Sequence, residues 1–170
     1  LWDLAVHDIS IILYLMNSMP ISVSASGHSH LKNKPENIGF LTLKFKNNFI
    51  AHINVNWLSP VKIRQTLIAG SKKMIVYNDI EPSEKIKIYD KGITQNWERK
   101  KMFVSYRTGD SVIPRLDNTE ALSRASNHFI NCIIKNKTPL TGGDMGLKVV
   151  SIIENAIKSM NNGGSLVKIK

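Results

Sequence analysis

The sequence predicts an α+β protein: a large, open-faced, mainly antiparallel sheet with helices packed on one face. Three observations carry that expectation. Short runs of alternating apolar and polar residues recur through the middle of the chain, over 38–46, 49–57 and 62–69. Apolar stripes at helical spacing sit near the two ends, Ile9/Ile12/Leu13/Met16 and Leu147/Val150/Ile153/Ile157. The order is helix, many strands, two helices, strand, rather than a strict alternation of strand and helix.

Composition fits that class. The chain has 170 residues, 42% hydrophobic and 21% charged, enough for one domain over 1–170 with a real core. The longest apolar run, Ile11 to Met16, is too short for a bilayer, which needs about 20 residues, so no membrane role is expected. The single cysteine, Cys132, excludes an internal disulfide framework and a cysteine-based zinc site. It fits a reducing compartment and hence a cytoplasmic location. No basic-then-apolar leader opens the chain. It starts Leu1-Trp2-Asp3 as if inside an element, so it is expected to be a piece of a longer protein.

The net charge is +10, divided as −2 over residues 1–30, +8 over 31–110 and +4 over 111–170. The basic residues are scattered singly or in pairs, without an arginine-rich helix or an aromatic RNA-binding motif. The expectation is a solvated basic surface or a field for an anionic small molecule, and no nucleic-acid partner.

Each element has a local reason. Residues 3–17 read as a helix ended by Met19-Pro20, and 21–30 as a strand. Residues 38–46 and 49–57 flank Asn47-Asn48; asparagine tolerates positive φ, so a tight hairpin is expected. On its second arm Ala51, Ile53, Val55 and Trp57 should face the core, and His52, Asn54 and Asn56 the other side. Residues 62–69 and 73–77 read as a strand pair joined around Gly70-Ser71, followed by strands at 85–90 and 101–106 and a loop over 107–117. Asp117 or Asn118 should cap a helix running to about 135, with Leu122, Phe129 and Ile133 on one face. Thr141 and Asp144 read as a capping box for the next helix. Asn161-Asn162-Gly163-Gly164 stops that helix before a last strand at 165–169.

Three groups of residues could carry chemistry. Asp3 and His7 are four apart, so on a helix they share a face, continued by Ser10 and Tyr14. A carboxylate beside an imidazole fixes its tautomer and raises its basicity, which suits removal of a hydroxyl proton while hydride leaves the same carbon. The plainer alternative is a helix start with a surface histidine. Tyr106-Arg107-Thr108-Gly109 offers a planar guanidinium for phosphate or carboxylate, or an arginine paired with Asp110. Lys62 and Arg64 alternate onto one strand face past Trp57, as an anion site or a solvated face. His28 and His30 are near neighbours without an obvious carboxylate or cysteine partner, and no metal is assigned. No glycine-rich strand-to-helix turn occurs, so the chain carries no dinucleotide fingerprint.

Four stretches in order resemble the C-terminal domain of the glucose–fructose oxidoreductase/inositol dehydrogenase/MocA-type family of NAD(P)-dependent oxidoreductases. They are DLAVHDISIILYL (3–15), the sheet region 39–79, EKIKIYDKG (84–92) and 128–169. The resemblance implies a dihydrodipicolinate reductase-like C-terminal domain that binds substrate and mediates a homodimer or homotetramer through its sheet. A Rossmann domain absent from this chain would bind NAD or NADP, and 1–170 alone would be inactive. Asp3 and His7 match the family's aspartate and histidine, with His7 as base and Asp3 orienting it or the substrate. WLSPVKIR, SKKMIVYND and YRTGDSVIP look most like a subgroup acting on sugar nucleotides in surface polysaccharide biosynthesis. That makes Lys62, Arg64, Tyr106 and Arg107 candidate contacts to a nucleotide-sugar substrate. The alternative is a non-catalytic sugar-nucleotide binding or assembly module.

Overall fold

The computed structural model describes residues 1–32, 34–96, 103–117 and 119–169, with the side chains of 93–96 and 103–106 outside that set. The α+β class holds, and every strand pairing among the described residues is antiparallel. The chain forms two units, residues 1–60 with 128–170, and residues 61–127.

The first unit contains α1 (Ala5–Met16), β1 (Ser22–His28), β2 (Ile38–Lys44), β3 (Ile50–Asn56), α3 (Gly143–Asn161) and β10 (Val167–Lys168). The strands form one sheet in the order β10-β1-β2-β3. Period-2 alternation puts Val23, Ala25, Leu41, Leu43, Ala51, Ile53 and Val55 on one face. Ala5, Ile9 and Leu13 of α1 and Val149, Ile152, Ile153 and Ala156 of α3 cover that face, forming a single core. The other face is open and mostly polar. Cross-strand register sets Phe40 between Ser26 and Asn54, and Thr42 between Ser24 and His52. Thr42 Oγ1 lies 3.0 Å from His52 Nδ1.

Several boundaries depart from the sequence reading. Asn17, at φ 46°, ends α1 before Met19-Pro20, its N–H donating to Leu13 O. The β2–β3 connection is one residue longer than a two-residue turn. Phe45 N–H donates to Phe49 O (3.0 Å), and Asn48 takes φ 62°, the left-handed residue that closes a three-residue loop. Trp57 lies beyond β3 and is exposed, so the core alternation stops at Val55. The buried stripe of α3 is Val149/Ile152/Ile153/Ala156, rotated from the expected one; Leu147 is exposed. Thr141 does not cap α3: its N-cap is Gly142, with no side-chain bond. Gly163 and Gly164, both at positive φ, end it as expected.

The second unit contains β4 (Gln65–Ala69), β5 (Met74–Asn78), β6 (Ile86–Tyr89) and β9 (Ser111–Val112) in that sheet order, with β7 (Gly92–Asn96) and β8 (Phe103–Arg107) as a separate ribbon. Strands β7 and β9 fall where the sequence reads a strand end and a loop. The β4–β5 turn falls around Gly70 as expected, Gly70 N–H donating to Lys73 O. α2 (Ala121–Ile134) begins in this unit and continues into the first. Leu122, Phe129 and Ile133 are exposed rather than a buried stripe. Asp117 accepts from Thr119 N–H and Oγ1 upstream of α2 instead of capping it; Asn118 and residues 101–102 lie outside the described residues.

Candidate active site

The first turn of α1 carries the strongest candidates. The inward side of α1 is pinned, with Ala5 and Ile9 fully buried and Leu13 nearly so. Ala5 N–H donates to Leu1 O (3.0 Å) and His7 N–H to Leu4 O (3.3 Å), so the entering turn is hydrogen-bonded into the helix. The helix proper begins at Ala5, and Asp3 stands in the turn just before it. Asp3 and His7 are both exposed, on the side opposite the core-facing stripe, with Tyr14 exposed further along. Ser10 Oγ donates to His7 O (2.8 Å). Among the described residues, no hydrogen bond or ion pair joins Asp3 to His7. The arrangement presents an imidazole and a carboxylate to solvent from a backbone that packing holds still.

The second unit holds the basic candidates, and strand pairing places them differently from the sequence reading. Lys62 and Arg64 precede β4 in an irregular segment instead of alternating along a strand, and Lys62 is exposed. Asp79 N–H donates to Arg64 O (3.0 Å). This sets the Arg64 guanidinium 3.5 Å from the Asp79 carboxylate. Tyr77 OH donates to the same carboxylate (2.8 Å). That hydroxyl, ahead of Arg64 and Lys85, holds the Asp79 carboxyl below the usual carboxylate range. Burial, then Asp79 itself, pushes the Tyr77 phenol up.

Arg107 does not pair with Asp110. It grips Asp90 through two parallel bonds (3.0 and 2.7 Å) and donates to Lys72 O (2.8 Å), engaging three of its five N–H donors. Arg107 lowers the Asp90 carboxyl and is itself raised by it. Gly109 is required beside this pair. A Cβ there would sit 2.5 Å from Asp90 O, a backbone atom that cannot swing away. Tyr106 is on β8, paired with Ile93; its side chain is outside the described set. The β4–β5 pairing of Gln65 with Asn78 and the β7–β8 pairing of Gly92 with Arg107 bring Asp79 and Asp90 to their arginines, so no sequence spacing announced them.

The sequence reading also passed over a cluster on α2. Leu140 N–H donates to His128 Nε2 (3.1 Å), and Cys132 Sγ, one turn along and buried, lies 3.6 Å from that nitrogen. The i, i+4 spacing of His128 and Cys132 was the available signal. Among the described residues, no group of three or more His, Cys, Asp and Glu side chains could hold a metal ion. No helix among them is long and apolar enough to cross a membrane.

The first unit is thus an α+β layer with two helices on one face of an antiparallel sheet, and Asp3 and His7 are exposed at the start of the first helix. The family described as "Oxidoreductase family, C-terminal alpha/beta domain" matches residues 1–169, and the chain belongs to this Gfo/Idh/MocA family. No curated protein sequence matches it.

Similar solved structures include UDP-N-acetylglucosamine 3-dehydrogenase GnnA from Acidithiobacillus ferrooxidans, 16% identical with a TM-score of 0.73, covering 96% of this chain and 47% of that one. WlbA dehydrogenase from Bordetella pertussis, solved with NADH and UDP-GlcNAcA, is 16% identical with a TM-score of 0.65, covering 98% and 43%. Aldose-aldose oxidoreductase from Caulobacter crescentus, complexed with glycerol, is 18% identical with a TM-score of 0.68, covering 96% and 45%. The chain thus spans about half the length of the structures it matches.

Proposed function

We propose that residues 1–170 are the substrate-binding and oligomerisation domain of a longer NAD(P)-dependent oxidoreductase acting on a sugar, and within that class on a nucleotide sugar. The observation that carries this reading is the exposed Asp3 and His7 at the start of a helix whose other side is locked into the core. The names of GnnA and of WlbA with its UDP-GlcNAcA support the substrate class. The cytoplasmic location and a role in polysaccharide biosynthesis belong to the same reading.

The described residues contain no parallel strand–helix–strand unit, and the sequence has no glycine-rich strand-to-helix turn, so this chain does not itself fit a dinucleotide. The nicotinamide, held by residues outside this chain, would supply the hydride acceptor. This chain supplies the proton acceptor. A neutral His7 takes the proton from the sugar hydroxyl, and Asp3 orients the imidazole or a neighbouring hydroxyl. Lys62 offers an exposed ammonium to a pyrophosphate. On the second unit, Arg64, Tyr106 and Arg107 are the further candidate contacts to a nucleotide sugar, and the two N–H donors Arg107 keeps beyond Asp90 and Lys72 remain for an anion. The open polar face of the first sheet, with Phe40 and Ile50 among Thr42, His52 and Asn54, is where a second copy would sit in a homodimer or homotetramer.

The test is His7→Ala in the full-length polypeptide carrying this chain. Turnover should fall by about 10²–10⁴-fold with little change in substrate affinity. Unchanged turnover would remove His7 from the chemistry.

A further inference from the structure

We propose that His28 and His30 form a two-histidine site for a divalent late-transition-metal cation at the end of β1, a role the sequence pattern had not assigned. His28 is the last residue of β1, paired with Ile38, and His30 follows two residues on. Asn37 ties the segment down: its N–H donates to His28 O (3.1 Å).

The Asn37 side chain then fixes the tautomer of His30. Asn37 Oδ1 faces the His30 backbone N–H (3.4 Å), so the oxygen rather than the amide nitrogen points at this loop. The same oxygen lies 2.9 Å from His30 Nδ1. A carbonyl oxygen only accepts, so Nδ1 carries the proton and Nε2 presents its lone pair. A ring N–H donated to a carbonyl, with the other nitrogen free, is the outer-shell arrangement that orients metal-bound histidines.

The second ring stands within the span a shared metal bridges. Metal–nitrogen bonds of about 2.0–2.1 Å at a tetrahedral angle of about 109° hold two imidazole centroids about 5 Å apart. The His28 and His30 centroids are 5.0 Å apart, with planes at 82°. Both side chains are exposed, so a cation can reach both rings from solvent. Among the described residues, no third His, Cys, Asp or Glu completes a cluster. Water therefore fills the remaining positions, and the site is exchangeable rather than structural. Imidazole donors select zinc, copper and nickel over calcium and magnesium.

Isothermal titration with Ni²⁺ tests this on the chain as it stands. One saturable equivalent is expected. His28→Gln and His30→Gln should each weaken it by at least about tenfold. Asn37→Ala, which keeps both imidazoles but frees the tautomer, should weaken it by about tenfold. His52→Gln, on the open sheet face, should leave it unchanged. Absence of saturable Ni²⁺ binding by the unsubstituted chain, or binding that survives both His28→Gln and His30→Gln, would overturn the proposal. Unaltered affinity in Asn37→Ala would overturn the preorganisation.

Discussion

The two units each contain a four-stranded antiparallel ladder but hold it by different means. In residues 1–60 with 128–170, two helices seal one face of the sheet, and Ile9, Leu41, Leu43, Ile152 and Ile153 lose nearly all contact with water. In residues 61–127, no described side chain is buried. Its strands are held by backbone pairing and by carboxylate–arginine contacts at Asp79 and Asp90. Apolar burial contributes roughly 25 cal/mol per Å², whereas exposed ion pairs contribute about 0–1 kcal/mol each. Substitutions should therefore act differently in the two units. The first unit is sensitive to shape, the second to charge.

The sharpest test sets a leucine of one sheet against a leucine of the other. Leu43→Ala removes a fully buried side chain and should destabilise by about 2–5 kcal/mol in urea unfolding. Leu67 on β4 is 60% exposed, and Leu67→Ala should stay within about 0.5 kcal/mol. Equal costs would end the distinction between the units.

A smaller effect is expected at Ser159, fully buried in α3. Its Oγ accepts from Ala25 N–H (2.9 Å) and donates to Ser165 O (2.5 Å), joining helix, β1 and the chain after α3. Ser159→Ala leaves both backbone groups without that partner and should cost about 1–3 kcal/mol, read from the same unfolding curves.

The smallest effect is confined to the second unit and depends on pH. The Asp79 and Asp90 carboxyls titrate below their usual range because they are hydrogen-bonded and paired when folded. A depressed folded value means the stabilisation is complete above the ordinary carboxylate pKa of about 3.9 and is lost as pH falls through the lower folded value. Acidification through that window should therefore raise amide exchange in β5 and β6 before β1–β3. Arg107→Ala should abolish the part of that pH dependence owed to Asp90. Simultaneous loss of protection in both units would show that ion pairs do not separate them.

The elements that local pattern alone controls were legible beforehand. The apolar spacing of Ile9, Leu13 and Met16 places α1, alternation over 38–56 places the β2–β3 hairpin, and the glycine pair at 163–164 stops α3. The candidate pair was legible for the same reason: Asp3 and His7 are close in sequence, and a helix start exposes whatever lies opposite its apolar stripe. Boundaries set by a single dihedral, such as Asn17 and Asn48, were missed by one to three residues because propensity does not choose among adjacent turn formers.

Long-range partners were not legible. Nothing local distinguishes Asp90 from Asp110 as the partner of Arg107; the β7–β8 register, which sets Arg107 opposite Gly92, decides it. Periodicity shows that α3 has an apolar side but not which of two adjacent apolar rows the sheet will take; packing selects Val149, Ile152 and Ala156 over Leu147. By itself the sequence determined class, element order and the exposed Asp–His pair, because these follow from short-range sterics and burial period. Tertiary structure alone decided which charges meet and which apolar row is covered. Each of those depends on groups that pairing and packing, not chain spacing, bring within a few ångströms.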